Sequence, residues 1–295
     1  MRVAITGGTG FVGVNTARAL LAAGHELVIV SRGSRKVAAR DRVTAVRADV
    51  ASGTGLREAF EGCDAVVHLT AIIREKGGQT FDRVIRQGTI NAATAAREAG
   101  VGHFVDISAI GADPDPAFPY HWAKWEGEQA VRESGVPFTI LRPSLIFGPG
   151  DGFFITLRGL VRYSIPVIPV AGDGSALFQP IAIEDVVRCI VQSLESGPAN
   201  RVIEIGGPEQ VTYDQIIDII HDAIGAGMRI KVHVPVPALM PVAAVMDKFL
   251  SNPPVTPAQL RMLARHNITR IDAVQHAFGF APKSFRDNAD YLNES

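Results

Sequence analysis

The stretch Thr6-Gly7-Gly8-Thr9-Gly10-Phe11-Val12-Gly13 decides the fold of this 295-residue chain. It follows a short apolar run at 2–6 and opens a helical pattern that continues to about residue 23. The glycines at 7, 10 and 13 form a G-x-x-G-x-x-G variant of the dinucleotide fingerprint. One glycine makes the tight turn, the next lets backbone amides approach a pyrophosphate, and the third lets helix and strand pack closely. The unpaired N–H groups and positive dipole end of the helix then favour a bound dinucleotide.

Outward from this turn, the first half of the chain alternates short apolar runs with longer helical patterns. This alternation is typical of a parallel sheet covered by helices. Several runs are apolar throughout, as strands buried on both faces are. Strands are predicted at 2–6, 26–30, 43–48, 65–69, 103–107 and 138–141, and helices near 11–23, 56–60, 80–99 and 120–134. We therefore expect an α/β fold with a Rossmann-type doubly wound parallel sheet.

Beyond residue 150 the pattern changes to helical segments separated by turns rich in proline and glycine. Helices are predicted near 152–163, 184–195, 213–224 and 257–265, and an apolar strand near 202–206 is expected to rejoin the first sheet. We predict an NAD(P)-binding Rossmann domain over residues 1–150. A smaller, interleaved C-terminal region over residues 151–295 is expected to form one wall of a substrate cleft.

The stretch at 232–250 is strongly apolar but contains three prolines and the charged pair Asp247 and Lys248. A membrane-spanning helix is therefore not expected. The expected role is to cap the core. The alternatives are a lining for an apolar substrate pocket, or a surface that lies against a membrane or a partner.

Composition excludes several classes of protein. With 47% hydrophobic and 20% charged residues the chain has ample material for a core, so it is not disordered or fibrous. The net charge of −1 disfavours a nucleic-acid partner. Cys63 and Cys189 lack a CxxC spacing and the eight histidines show no HExxH pattern, so no metal site is expected. The low number of cysteines also indicates a protein of the reducing cytoplasm. Neither a signal peptide nor a transmembrane segment is expected.

The residues after the second predicted strand bear on the choice of dinucleotide. An acidic residue at the end of that strand would hold the ribose 2′-hydroxyl of NAD. The chain instead reads Ser-Arg-Gly-Ser-Arg-Lys at 31–36. Arg32 and Arg35 suit a 2′-phosphate, because a guanidinium pairs with phosphate through two hydrogen bonds. NADP(H) is thus favoured and NAD(H) is the alternative, while an ordinary solvated basic loop is the purely structural interpretation.

Tyr120 and Lys124 lie in the segment YHWAK at the start of a predicted helix, where a spacing of four puts both on one face. A tyrosine, with an ordinary pKa of about 10, needs a nearby cation to exchange protons at neutral pH. Ser108 directly follows the predicted strand 103–107. We expect Tyr120 to act as general acid/base, Lys124 to lower its pKa and hold the nicotinamide ribose, and Ser108 to polarise a substrate carbonyl. A surface position without chemistry is the alternative for a lone Y-x-x-x-K pair.

The order of motifs along the chain resembles that of short-chain dehydrogenases/reductases. The segments that carry the resemblance are TGGTGFVG at 6–13, RAD at 47–49, VVHLTA at 66–71, YHWAK at 120–124 and LRPSLIFGPG at 141–150. They resemble the extended or atypical type, the NAD-dependent epimerase/dehydratase superfamily, over nearly the whole chain. The segments ISAIGADPDP at 107–116 and PPVTPAQLRML at 253–263 are similar to the branch containing the nucleotide-binding accessory subunit of respiratory complex I and its bacterial relatives.

The resemblance implies that Asp49 lies near the adenine, residues 69–71 lie beside the cofactor, and the backbone after Pro143 lies near the nicotinamide amide. The expected cofactor site comprises Gly7, Thr9, Gly10, Phe11, Val12, Gly13, Arg32, Arg35, Asp49, Val50, Leu69, Thr70, Ala71, Tyr120, Lys124, Pro143 and Leu145. One departure concerns Ile85, which stands where extended members place an asparagine that holds a water for proton relay. Asn91 follows further along and is not expected to substitute for it.

These features predict an oxidoreductase that transfers a hydride between NADP(H) or NAD(H) and a carbonyl or secondary alcohol. Its partner would be a small-molecule substrate, and an apolar molecule is one candidate. Two alternatives stay open: a non-catalytic NADP(H)-binding accessory or assembly protein of a membrane redox complex, and a nucleotide-sugar epimerase/dehydratase. A monomer or homodimer is expected, in the cytoplasm or at the inner face of the membrane as a peripheral protein.

Overall fold

The computed structural model describes residues 1–33, 41–164, 166–227, 229–250 and 253–293. The strands are, in chain order, β1 (Arg2–Thr6), β2 (Glu26–Ser31), β3 (Val43–Arg47), β4 (Ala65–His68), β5 (His103–Ile107), β6 (Phe138–Pro143), β7 (Ile146–Phe147), β8 (Val167–Ala171), β9 (Leu177–Phe178), β10 (Ile181–Ala182), β11 (Arg201–Ile205), β12 (Val211–Thr212) and β13 (Ile230–Val234). The helices are α1 (Phe11–Ala22), α2 (Leu56–Phe60), α3 (Gln87–Glu98), α4 (Pro119–Glu133), α5 (Phe153–Tyr163), α6 (Ile183–Ser196), α7 (Tyr213–Ala223), α8 (Val236–Phe249), α9 (Pro257–Leu263) and α10 (Ala273–Phe278). A π-helical turn at Asp82–Arg86 leads into α3, and a 3-10 segment lies at Arg286–Leu292.

One seven-stranded sheet has the order β11-β6-β5-β4-β1-β2-β3. The six neighbouring strands β6, β5, β4, β1, β2 and β3 pair in parallel, which confirms the predicted Rossmann-type sheet. The chain winds from β1 through β2 to β3 in one direction and from β4 through β5 to β6 in the other. The winding therefore reverses between β1 and β4. In open α/β sheets, ligands bind outside the carboxyl ends of the strands at this switch point.

Helices cover this sheet in two groups. α1 packs against α6, while α2 and α4 both pack against α3. The core between the sheet and the second group includes Phe60 of α2 and Phe104 of β5, which are fully buried. Full burial of a side chain of this size stabilises the fold by about 2–3 kcal/mol. The sheet and its helices thus hold the strand ends in fixed positions.

The chain forms two compact units. The first comprises Met1–Pro143 and Ile183–Glu204, and the second comprises Ser144–Ala182 and Ile205–Ser295. The strand expected near 202–206 is β11, which lies beside β6 in the sheet. The assignment of a cofactor-binding domain to residues 1–150 and a substrate region to 151–295 stays a prediction.

Aromatic side chains form the core of the second unit. Phe147, Phe154, Phe178 and Phe285 are buried together, and the ring centroids of Phe154 and Phe285 are 4.6 Å apart. α5 and α7 pack against each other beside this cluster. Both α7 and α9 begin with a Thr-x-x-Gln capping box, in which threonine and glutamine each bond the backbone N–H of the other.

Helix α8 overturns the expectation that residues 232–250 cap the core. Pro237 lies in its first turn, where a missing N–H removes no helical bond, and Pro241 lies inside it. Ala243 is its one buried residue, whereas Val242, Val245 and Phe249 are 56%, 58% and 74% exposed. Across the described parts of the chain, no helix is both long and apolar enough to cross a membrane.

Candidate active site

The glycine turn lies at the carboxyl end of β1, on the switch-point edge of the sheet. Gly7 has a φ of +69°, and a Cβ there would lie 2.9 Å from the carbonyl carbon of Leu69 and 3.0 Å from the nitrogen of Thr70. Glycine is therefore required where the end of β1 passes the end of β4. A Cβ at Gly13 would overlap the backbone of Gly7 and Gly8, so this third glycine allows α1 to pack against the turn.

The N-terminus of α1 fits a diphosphate. Gly10 is its N-cap, no side chain caps it, and its first turn carries no acidic residue. The first N–H groups of a helix have no carbonyl four residues back to bond. Those of Phe11, Val12 and Gly13 therefore provide donors, together with the positive end of the helix dipole. The residues present are thus suited to the pyrophosphate of a nicotinamide dinucleotide.

The end of β4 lies next to this turn. The N–H of Leu69 donates to the carbonyl oxygen of Thr6 at 3.2 Å, which joins the ends of β4 and β1. Leu69 and Thr70 are half-buried and Ala71 is exposed, while Thr9 is half-buried within the turn itself. The structure therefore brings this group of predicted cofactor residues to one edge of the sheet.

The loop after β3 carries the residues expected near the adenine. Asp49 is half-buried, and its Oδ1 accepts a hydrogen bond from the N–H of Ala51 at 3.0 Å. Val50 is buried, and its carbonyl oxygen accepts a hydrogen bond from Nδ2 of Asn91 at 2.8 Å. Asn91 therefore fixes this loop, while Ile85 is fully buried in the π-helical turn before α3.

Two arginines lie at the adjoining ends of β2 and β3. NH1 of Arg32, which is exposed, donates to Oε1 of Gln79 at 2.9 Å. Arg47 is the register partner of Ser31, and a Cβ on Gly33 would lie 3.6 Å from Cδ of Arg47. Arg35 lies outside the described residues.

Tyr120 lies in the first turn of α4 and is half-buried. Its ring packs edge-on against the rings of Phe81 and His121, with centroids 5.7 Å and 5.4 Å away. Burial raises the pKa of Tyr120 to about 12. The phenol is therefore protonated at neutral pH and can serve as a proton donor.

Lys124 lies one turn further along the same face of α4 and is buried. Its Nζ donates to the carbonyl oxygen of Ile107, the last residue of β5, at 2.5 Å. Burial lowers the pKa of Lys124, while the nearby charges of Asp106 and Glu128 raise it. The ammonium therefore lies at the carboxyl end of β5, on the same edge as the glycine turn.

Ser108 is buried directly after β5, and its hydroxyl donates to Oε1 of Glu128 at 2.5 Å. A serine hydroxyl has one proton to donate. In this geometry the proton is bonded to Glu128, and the carbonyl-polarising role expected of Ser108 stays a prediction. Glu128 in turn accepts hydrogen bonds from Nε and NH2 of Arg142, each 2.7 Å long.

Sequence reasoning missed Glu128 and Arg142. The available signal was the spacing, because Glu128 follows Lys124 by the same four residues that separate Lys124 from Tyr120. All three residues therefore lie on one face of α4.

Two further buried groups lie in the strands behind α4. His68 bonds through Nδ1 with the Thr6 hydroxyl at 2.8 Å and through Nε2 with the Thr89 hydroxyl at 3.3 Å. Burial lowers the pKa of His68 to about 3, so the ring is neutral. Asp106, its register partner on β5, is 2% exposed, and burial raises its pKa to about 7. Sequence reasoning missed Asp106 too, although an acidic residue inside an apolar strand was a signal.

The last two predicted cofactor residues lie in different units. Pro143 ends β6 in the first unit, where its carbonyl oxygen accepts a hydrogen bond from the N–H of Ile110 at 3.0 Å. Leu145 belongs to the second unit, where its N–H donates to Oδ1 of Asn267 at 3.1 Å.

Comparisons with known proteins agree on the class of protein. The chain is 31% identical over 253 residues to a ceramide reductase of Caulobacter vibrioides, a match that covers 84% of this chain and 78% of that protein. It is 24% identical over 260 residues to mitochondrial NADH dehydrogenase (ubiquinone) 1 alpha subcomplex subunit 9 of Arabidopsis thaliana. That match covers 85% of this chain and 64%, just under two thirds, of that protein.

A solved structure, MoeE5 in complex with UDP-glucuronic acid and NAD, shares the fold with a TM-score of 0.77. It is 19% identical to this chain, and the superposition covers 100% of this chain and 98% of that one. A sequence profile of the NAD dependent epimerase/dehydratase family matches residues 3–206. Profile, relatives and fold agree with the glycine turn and the Tyr120–Lys124 pair: the chain belongs to the NAD dependent epimerase/dehydratase family.

Proposed function

We propose that the protein is an NAD(P)(H)-dependent oxidoreductase that exchanges a hydride with a carbonyl or secondary alcohol. The observation that carries the proposal is the placement of Tyr120 and Lys124 on one face of α4, with the Lys124 ammonium bonded to Ile107 at the end of β5. This puts a proton donor and a cation at the sheet edge where the glycine turn provides phosphate donors. A nicotinamide cofactor, when bound, supplies or accepts the hydride.

The glycine turn and the first turn of α1 would hold the pyrophosphate through the N–H groups of Phe11, Val12 and Gly13. The loop with Asp49 and Val50 would lie near the adenine. Residues 69–71, at the end of β4, would lie along the cofactor beside the turn. These roles agree with the common edge that the three segments share.

Tyr120 would move the proton. In the direction of carbonyl reduction, the phenol gives its proton to the carbonyl oxygen and becomes a phenolate. Because its pKa is about 12 in the unliganded protein, the phenolate needs a nearby positive charge. Lys124 would provide that charge and would also hold the nicotinamide ribose. Ser108 would serve as a structural tie to Glu128 rather than as a carbonyl-polarising group.

The proposed cofactor is NADP(H). Residues 31–33 at the end of β2 contain no carboxylate that could hold a ribose 2′-hydroxyl, and they present the exposed guanidinium of Arg32. The neighbouring strand β3 ends with a second arginine, Arg47. A 2′-phosphate between two guanidinium groups would be stabilised by both. NAD(H), the cofactor after which the family is named, is the alternative.

A second candidate function is that of an accessory or assembly protein that binds the nucleotide with little chemistry of its own. Ile85 favours the accessory protein, because a buried apolar side chain stands where extended members of the family place an asparagine. The nearby Asn91 is hydrogen-bonded to the carbonyl oxygen of Val50. The relative that is named as a subunit of NADH dehydrogenase agrees with this reading. A nucleotide-sugar substrate, as in MoeE5, has the support of the shared fold alone.

The experiment compares wild type with Tyr120→Phe. NADPH and NADH oxidation is measured against a panel of aldehydes, ketones and quinones, and equilibrium nucleotide binding is measured by fluorescence. The oxidoreductase requires turnover that falls at least about a hundredfold in Tyr120→Phe with nucleotide affinity nearly unchanged. Equal turnover in both proteins would refute the role of Tyr120. Tight nucleotide binding without turnover across the whole panel would favour the accessory protein.

A further inference from the structure

Asp106 is the one acidic residue of β5, whose sequence is HFVDI. Strand alternation places its side chain on the same face of the sheet as Phe104 and Ser108, towards α4. It is 2% exposed, and its Oδ1 has no hydrogen-bond partner among the residues that the structure describes. A buried ionised carboxylate with an unfilled oxygen is costly. This position therefore needs either a proton or a cation close by.

Lys124 is the cation whose charge acts on Asp106. Its Nζ donates at 2.5 Å to the carbonyl oxygen of Ile107, the residue that directly follows Asp106. Lys124 and Asp106 each stabilise the charged form of the other. Glu128, the other acid that acts on Lys124, already accepts two hydrogen bonds from Arg142. Of the two acids that act on Lys124, Asp106 thus has fewer hydrogen-bond donors from other residues.

Neighbouring strands and helices contribute further ionisable and polar groups around the pair. His68 of β4 is neutral, because its pKa lies near 3. β6 contributes Arg142, which pairs with Glu128 and with Glu204. α6, which also packs against β5, carries the buried carboxyl of Asp185. α3 contributes the hydroxyl of Thr89, which is neutral and bonds to His68. Within this group, burial raises the pKa of Asp106 to about 7 and lowers the pKa of Lys124.

We propose that Asp106 is a positioning residue that keeps Lys124 in its charged form by titrating with it as a coupled pair. The inference rests on the proposed function, in which the ammonium supports the Tyr120 phenolate and holds the nicotinamide ribose. A buried lysine without a counter-charge loses its proton towards neutral pH. Asp106 becomes a carboxylate as the pH rises through about 7, and so supplies a counter-charge on the alkaline side, where burial favours the neutral form of Lys124.

The first test follows the carboxyl itself and needs no cofactor. Protein labelled with carboxyl-¹³C aspartate is titrated by NMR as wild type, Asp106→Asn and Lys124→Met. One resonance, absent in Asp106→Asn, should titrate near neutral pH, and its midpoint should rise by about one unit or more in Lys124→Met because the cation is gone. The pairing is overturned if the Asp106 resonance titrates at about pH 4, as exposed aspartates do. It is also overturned if the midpoint of this resonance is the same in Lys124→Met as in wild type.

The second test measures equilibrium binding of NADPH and NADH by fluorescence between about pH 6 and about pH 10. Wild-type affinity should fall on the alkaline side as Lys124 deprotonates. Asp106→Asn should move the alkaline midpoint of binding to lower pH by about one unit or more. At a fixed alkaline pH this corresponds to about a tenfold loss of affinity. Asp106→Glu should restore part of the lost affinity. An alkaline midpoint in Asp106→Asn equal to that of wild type overturns the proposal.

Two further variants separate the causes of failure. Asp151→Asn removes another buried carboxyl, in the second unit, which accepts hydrogen bonds from Tyr291 and backbone N–H groups; it should leave the alkaline midpoint unchanged. If Lys124→Met binds both nucleotides as wild type does while the NMR titration shows the coupled pair, the pairing is supported and the proposed role of Lys124 fails. If Lys124→Met loses affinity and the Asp106 resonance does not respond, the pairing fails alone.

Discussion

Arg142 holds the buried carboxylate of Glu128 through two hydrogen bonds, Nε to Oε1 and NH2 to Oε2, each 2.7 Å long. The hydrogen bond to Glu128 raises the pKa of Arg142 above its ordinary value, so the guanidinium stays charged. Because Glu128 also accepts the hydroxyl proton of Ser108, one carboxylate joins α4 to the ends of β5 and β6. Without Arg142, the buried Glu128 carboxylate would keep the Ser108 hydroxyl and the more distant Arg132, whose NH2 lies 3.6 Å from Oε2.

Arg142→Met should therefore lower the free energy of unfolding by about 3 kcal/mol, because a buried carboxylate loses its two charge-assisted hydrogen bonds and keeps weaker partners. Urea unfolding monitored by circular dichroism measures the loss. The double variant Arg142→Met/Glu128→Leu should recover much of it, since both charges are then gone. A double variant that is less stable than the single one would contradict this account.

Ser108→Ala should lower the free energy of unfolding by about 1–3 kcal/mol, because the Glu128 carboxylate loses a donor. Turnover, once a substrate is found, should change by less than about tenfold. A carbonyl-polarising serine would behave differently, because loss of such a donor typically slows turnover by about 10²–10³. Stability and turnover of the same preparation decide between the two roles.

Gly13→Ala should abolish nucleotide binding and lower the melting temperature, since its Cβ would overlap the backbone of Gly7 and Gly8. Gly159→Ala is the matched control. Gly159 lies within α5, and a Cβ there meets no atom within 4 Å. The control should be neutral or stabilising by up to about 1 kcal/mol. Wild-type nucleotide affinity in Gly13→Ala would show that the turn does not carry the pyrophosphate.

Arg32→Asp should reverse the preference for the cofactor. We expect the affinity for NADPH to fall by more than about tenfold, because a carboxylate would repel the 2′-phosphate, while the affinity for NADH stays equal or rises. Fluorescence titration with both nucleotides measures the ratio. Arg57→Asp, at an exposed position on α2, is the control for the charge change. Parallel losses for NADPH and NADH would rule out a 2′-phosphate contact.

The pH dependence of stability should carry two opposite contributions. His68 has a pKa of about 3 in the folded protein and an ordinary value of 6.5, so the unfolded chain binds more protons between these values. Stability from His68 is therefore lost as the pH falls from about 6.5 towards 3. Asp106, whose pKa rises from 3.8 to about 7, contributes stability at low pH that is lost as the pH rises towards 7.

Urea unfolding between about pH 4 and about pH 7 distinguishes these contributions. His68→Gln should make stability rise less steeply with pH, or fall, across this range. Asp106→Asn should make it rise more steeply, because the opposing contribution is gone. The same slope in both variants and in wild type would contradict the pKa shifts of the two groups.

Local patterns predicted the sheet and part of the site. The apolar runs of β1 and β5 and the glycines at 7, 10 and 13 act through neighbouring residues, so they can be interpreted from the sequence. The Tyr120–Lys124 spacing is equally local. The bond from Ser108 to Glu128 was not predictable in this way, because it depends on how α4 is rotated over β5. The exposure of α8 was missed because hydropathy measures a preference for burial, whereas tertiary packing decides which apolar faces are covered.

The division of the chain into units has a consequence for synthesis on the ribosome. β6 ends at Pro143, but α6 and β11, which complete the first unit, come after Ser144–Ala182. A nascent chain halted at Pro143 would expose the edge of β6 that β11 later occupies, and unpaired strand edges attract other chains. The first unit therefore cannot be completed until residues 183–204 have been synthesised. It must wait for part of the second unit to emerge first.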